Sequence, residues 1–242
     1  MAVLPSVRAA LAERFLFNFR MPPESLGKFL PPVPWLLPQP IRGYGVVSFC
    51  LLDLRNITVA PLPTVAGLTS ISCAPRFAVL DTSPGAPVPA VYVTERQTNS
   101  AFGAWFTSLG FSAPHPYVEV HIQRENEDVR LDVTDPQKGN LFSATVRKTP
   151  ELHSELFASS GDFARFIAQG VMSYGLSRHE RRLTRTDLHK DDADYEPLEV
   201  RSLSGPLVQE WEAAGGVLDS AFRTSGGRYE WTYHGLTEEW GA

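Results

Sequence analysis

Lysine is missing from the middle of this 242-residue chain: none occurs between Lys28 and Lys138. That long stretch can supply no amine nucleophile. Cysteine is nearly absent too, with only Cys50 and Cys73, both inside apolar runs (SFCLL, SISCAP). Two such residues read as small buried hydrophobes, and they make no metal signature without histidines at matching spacing. No metal and no cofactor is therefore expected. There is no GxSxG, no P-loop and no GxGxxG, and Gly226-Gly227 reads as a turn rather than a phosphate cradle. Basic excess is lacking as well. The net charge is −5, which argues against a nucleic-acid partner and against docking on anionic membranes. The N-terminal MAVLPSVRAALAERF holds no long apolar core, so neither a signal peptide nor a membrane span is expected, and the reading is cytoplasmic.

What is present is an ordinary globular composition, 43% hydrophobic and 20% charged, with 20 prolines. So many prolines imply many turns and suit a strand-rich fold. Arg14 to Met21 (RFLFNFRM) alternates strictly, with Phe15, Phe17, Phe19 and Met21 on one side of a strand. The block PPESLGKFLPP follows as a short helix closed by Pro31 and Pro32, and GYGVVSFCLLDL is a second strand. Val3 to Glu13 reads as a short amphipathic helix, from Leu4, Val7 and Leu11. Strands are expected at 69–80 and 89–96. A helix over 101–109 follows from the stripe Phe102, Trp105, Phe106, Leu109. A meander is expected over 117–147. A helix starts at Ser160 with Phe163, Phe166, Ile167 and Val171 in register, ending near Gly175. The mixed-charge run 178–194, with Arg178, Arg181, Arg182 and Arg185 offset by acids, reads as a solvated loop. Pro206 starts a last helix, and a hairpin turns at Gly226-Gly227. This amounts to roughly nine or ten strands and three or four helices in one domain, 1–242, with a largely antiparallel sheet that curls or closes.

Strand, PxxLxxxLP block, strand is an opening that resembles the acetoacetate decarboxylase-like superfamily. The strand, helix, Gly, strand order through 90–120 is similar as well. YEPLEV and LDSAFR…RYEWTYHGL look like a branch of it that lacks the Schiff-base lysine. The resemblance implies a closed, cone-like β-barrel with peripheral helices and a ligand cavity. It also implies a Schiff-base lysine in a Gly-x-Pro-Lys turn. In GFSAPHPYVEV, His115 falls at that position, or Tyr117 in an alternative alignment, and neither forms an imine. Lys138 and Lys148 lie at loop or hairpin ends and read as solvated.

The candidate residues follow from alternation. His115, Tyr117, Glu119 and His121 share one face of an extended strand, with Val118, Val120 and Ile122 on the other. Either the apolar face is core and the polar row meets solvent, or the polar row lines the cavity and can hold a carbonyl or carboxylate ligand and move a proton. Glu95 is a further catalytic candidate by analogy with the acidic residues that the superfamily sets opposite its lysine. Arg76, Arg96 and Arg42 are candidate anion ligands, Arg76 by bidentate pairing with a carboxylate. Three functional classes stay open: an enzyme using acid/base chemistry (a lyase, hydratase or isomerase) on a small organic acid or carbonyl compound, a non-catalytic carrier or sensor, and an interaction protein whose barrel is filled by side chains. A homo-oligomer is compatible with each.

Overall fold

The computed structural model describes residues 6–59, 67–83, 85–101, 115–177 and 181–240. Its strands are β1 (Ser6–Met21), β2 (Leu36–Pro38), β3 (Gly45–Val59), β4 (Leu68–Asp81), β5 (Val88–Val93), β6 (Gln97–Thr98), β7 (Glu119–Glu125), β8 (Asp128–Asp135), β9 (Gly139–Lys148), β10 (Met172–Leu176), β11 (Leu183–Lys190), β12 (Glu196–Ser204), β13 (Val217–Ser225) and β14 (Arg228–Leu236). The helices among the described residues are α1 (Pro23–Gly27), α2 (Ser160–Gln169) and α3 (Pro206–Ala213). The fold is mostly β and largely antiparallel, as expected, with β5 and β10 running parallel. The helix expected over 101–109 lies outside the described residues apart from Ala101.

β1 organises the sheet. Along its whole length it pairs with β3. On its other edge, Ser6–Ala10 pair with β14 and Glu13–Arg20 with β13. The chain of pairings β14-β11-β10-β5-β4-β3-β1 thus returns to β14, and a second arm, β13-β12-β9-β8-β7, leaves from β1. The circuit is uneven, unlike the regular closed cone implied by the resemblance: β1 and β3 match from Val7 to Met21, whereas β5 and β10 match only over Ala90–Val93.

Because β1 lies between two arms, both of its faces are covered. Phe15, Phe17, Phe19 and Met21 pack into the larger apolar cluster with Phe49 and Trp211. Leu16 faces the smaller one, with Cys50, Leu188 and Phe222. α2 closes that side, its Phe163 ring stacked on Phe222 at 3.9 Å. Ser159 caps the helix by accepting from the Asp162 amide, which satisfies an N–H left free at the helix start.

Three expectations are corrected. The helix read over 3–13 is strand from Ser6 onward. Its alanines favour helix in isolation, but pairing on both edges overrides that weak preference, and Ala9, Leu11 and Glu13 are buried in alternation. The helix from Ser160 stops at Gln169, not near Gly175. At Gly170 a Cβ would come within 2.9 Å of Val91, so the chain turns close against β5 and enters β10. The loop read over 178–194 contains β11. Thr184, Thr186 and Leu188 are buried on one face there while Arg185 and His189 on the other are exposed, so the charges mask a two-residue period.

Candidate functional site

Residues directly opposite one another on neighbouring strands share a face, so the inward set of the seven-strand circuit can be followed strand by strand. Arg76 on β4 lies beside Ser48 on β3, which lies beside Asn18 on β1. In the other direction Arg76 neighbours Val93, then Gly175, then Thr184. Lys190 on β11 faces Tyr229 on β14, which faces Ala9 on β1. Within this face is a cavity of about 50 Å³, with Arg14, Arg76, Lys190, Ser48 and Gln39 on its wall and Phe166 and Ile167 of α2 against it.

Arg14 is buried. Its Nε donates to Cys50 Sγ at 3.3 Å, and its Nη1 to the hydroxyls of Tyr195 and Tyr229 at 3.5 and 3.4 Å. Arg76 Nε is buried with no hydrogen-bond partner. Arg96, which follows β5, donates from Nη2 to Ser173 Oγ at 3.0 Å, and Ser173 Oγ donates to the Thr186 carbonyl. Gly175 leaves room for the Thr184 hydroxyl: a Cβ there would lie 2.9 Å from Thr184 Oγ1, with Arg96 Nη1 in ordinary contact at 3.9 Å. Lys190 Nζ donates to the Ile167 carbonyl at 2.9 Å, tying β11 to α2. Ser48 Oγ donates to Asn18 Oδ1 at 2.7 Å.

This is an electropositive interior. Burial, reinforced by Arg14 and Arg76, pushes the Lys190 ammonium down to about 7. Burial and the neighbouring Arg76 bring Arg96 to about 10. Burial and the charge of Arg14 lower Arg76 too, against the opposing pull of Cys50 and the two tyrosines. At Cys50 burial works against ionisation, but the facing guanidiniums of Arg14 and Arg76 outweigh it and hold the thiol below its ordinary value. Among the described residues no Asp or Glu forms an ion pair with Arg14, Arg76, Arg96 or Lys190. Nor does any group of three or more His, Cys, Asp or Glu gather as a metal site among them. No helix there is long and apolar enough to cross a membrane.

The expected site residues divide. Arg76 is in the cavity wall, and Arg96 is close enough for the two charges to be felt. Arg42 is on the surface, 3.9 Å from Asp162, and donates to the Glu155 carbonyl at 3.3 Å. Glu95 accepts from Gln97 Nε2 at 2.9 Å; it raises Cys73, whose thiol burial has already pushed up, and does not border the cavity. The polar row turns outward. Tyr117 is 41% exposed, and Glu119 and His121 are exposed, whereas Val118 and Val120 are buried in the larger apolar cluster. Burying the valines is favourable and solvating the polar row costs nothing. His115 is half-buried just before the bridge that joins Thr98 to Tyr117. Lys138 is exposed, and Lys148 pairs with Glu196 at the surface.

Sequence reasoning missed Arg14, Cys50, Lys190, Tyr195 and Tyr229. A signal existed for Arg14 and Asn18, two polar residues on the second face of a strand whose first face is all Phe and Met. None marked Lys190, hidden in HKDDAD.

No family model and no curated protein matches the sequence. Solved structures do. An acetoacetate decarboxylase-like enzyme from Sphingomonas wittichii RW1 is similar over 99% of this chain and 94% of its own, with TM-score 0.62 and 13% identity. Acetoacetate decarboxylase from Legionella pneumophila is similar over 97% and 88%, with TM-score 0.68 and 11% identity. The enduracididine biosynthesis enzyme MppR, complexed with pyruvate, is similar over 100% and 93%, with TM-score 0.60 and 12% identity.

Proposed function

Starting from an acetoacetate decarboxylase-like fold, we propose that this protein binds a small organic acid in the cavity among Arg14, Arg76 and Lys190. One observation carries the reading. Arg14, Arg76, Arg96 and Lys190 gather inside the strand circuit with no carboxylate paired to them among the described residues. Buried charge is costly unless it is paired, and an acidic ligand supplies the missing partner. The free Nε of Arg76 offers a donor for its carboxylate. The pyruvate complex of MppR, a protein of similar fold, is in keeping with this. The exposed placement of Tyr117, Glu119 and His121 gives no support to lysine-independent acid/base chemistry on that row.

A thermal-shift series with 2-oxo, 3-oxo and hydroxy acids tests the reading. A ligand that binds only the native state stabilises it, by about 2.7 kcal/mol at a hundredfold excess over its Kd. At least one acid raises the Tm of the native protein and leaves that of Arg76→Met unmoved. A panel without any shift refutes the proposal. Turnover of the bound acid then separates an enzyme from a carrier.

A second reading rests on Lys190. Its amine is in the cavity and is substantially neutral near pH 7, the condition for nucleophilic attack on a carbonyl carbon. The new C–N bond would form as the carbonyl oxygen leaves as water. Borohydride with a 2-oxo acid then adds a fixed mass to Lys190 and none to Lys190→Met; absence of the adduct leaves binding alone.

A further inference from the structure

The number of charges in the cavity bears on which acids fit it. The Arg14 and Arg76 guanidiniums and the Lys190 amine are on the cavity wall. The Arg96 guanidinium lies behind it against Ser173, and Cys50, bonded to Arg14, is the described group beside them that can offer a compensating negative charge. With Lys190 neutral and Cys50 ionised, a monocarboxylate would still leave one guanidinium without a partner, whereas a dianion would leave none.

Hydrogen bonding gives the same sign. Three acceptors beside the cavity are in use: Asn18 Oδ1 takes the Ser48 hydroxyl, the Ile167 carbonyl takes Lys190, and the Thr186 carbonyl takes Ser173. Some donors are spare. Arg76 Nε has no partner, and the Tyr195 and Tyr229 oxygens accept from Arg14, which leaves their protons to give. A site of spare donors suits a ligand that only accepts.

Size sets the last limit. A cavity needs about 10–15 Å³ for each water it holds, so about 50 Å³ takes a body of roughly four waters. We infer that the cavity selects compact oxyanions carrying two negative charges, of the size of a two- or three-carbon dicarboxylate, over monocarboxylates of similar length. This rests on the organic-acid reading above and sharpens it.

Calorimetric titration of the full chain at fixed ionic strength, which holds screening constant, tests it with malonate, oxalate, pyruvate, propionate and phosphate. Malonate or oxalate binding at least tenfold tighter than pyruvate and propionate supports the inference. Phosphate binding tighter than both dicarboxylates also supports it, and identifies an inorganic or phosphoryl oxyanion as the source of the two charges. In Arg96→Gln, with Arg96→Met as a second form should the first fail to fold, the dianion preference falls toward one while pyruvate changes less. Pyruvate or propionate binding as tightly as malonate overturns the inference and leaves the organic-acid reading standing. No heat from any of the five overturns both.

Discussion

The two faces of β1 differ in kind, although they are one residue apart in sequence. On the odd face, Phe17 meets Phe142 edge-on at 5.0 Å and Phe19 meets Trp211 at 5.1 Å. From Phe15 to Met21 every side chain on that face is apolar, and buried Glu13 next to them is paired with Arg124 and Arg223. On the even face, Arg14 and Asn18 are equally buried but bond to a thiol, two phenols and two serines. Depth does not distinguish core from site here. What distinguishes them is whether the buried atoms have their demands met by the protein. The odd face is complete, whereas the even face carries charge that the described residues leave uncompensated.

Substitutions on the two faces should therefore move stability in opposite directions. The largest effect is expected from Phe17→Ala. It removes a fully buried ring and leaves a cavity, lowering unfolding free energy by about 3–5 kcal/mol, read as a reduced midpoint in urea at unchanged slope. Arg76→Met should do the reverse. Replacing a half-buried cation, whose enclosed Nε has no partner, by an apolar chain of similar length raises stability by about 1–3 kcal/mol while acid binding disappears. A destabilised Arg76→Met would mean that Arg76 is already satisfied, and the contrast between the faces would fail.

Lys190 gives a smaller, pH-dependent effect. Its folded value, about 7, lies below the ordinary 10.5. Between those values the unfolded chain holds a proton that the native amine has shed. Stability therefore rises with pH across that window, by at most about 1.4 kcal/mol per unit, and the full cost remains below its lower end. Unfolding at pH 7 and 8 should show this rise in the native protein and a shallower one in Lys190→Met. Equal slopes would remove Lys190 from the cavity's electrostatics. The smallest effects belong to the outer row: Glu119→Gln and His121→Ala should stay within about 0.5 kcal/mol and leave acid binding as it is.

How much of this could be read in advance follows from the same contrast. The RFLFNFRM strand, the proline-bounded α1, the β7-β8-β9 meander and the Gly226-Gly227 hairpin all announce themselves, because a face of Phe or Val against polar neighbours is a two-residue period in plain view. β11 does not, since Arg185, His189 and Lys190 obscure the inward Thr and Leu. The site is less legible for a further reason. His115, Tyr117, Glu119 and His121 form the most conspicuous polar row in the sequence, and a row so regular is what a solvated strand face looks like. Most of the residues that do converge come from strands β1, β3, β4, β11 and β14, one or two from each, with Arg96 just after β5 and Tyr195 just before β12, so it is chiefly the pairing order that brings them together. Arg76 was recoverable because it interrupts an apolar strand; Lys190 follows a histidine and precedes two aspartates, as surface lysines do.

β1 also sets the timetable by which the protein can assemble. Its first edge finds β3 within a few dozen residues, but its second edge waits for Val217–Ser225 and Arg228–Thr232. During synthesis the Arg14 face stays open until nearly the whole described chain has left the ribosome. Contacts between such distant segments are slow to form, and a half-made strand with an unpaired edge is prone to join the wrong neighbour. The charges on that face, an expense once the sheet has closed, keep it soluble while it waits.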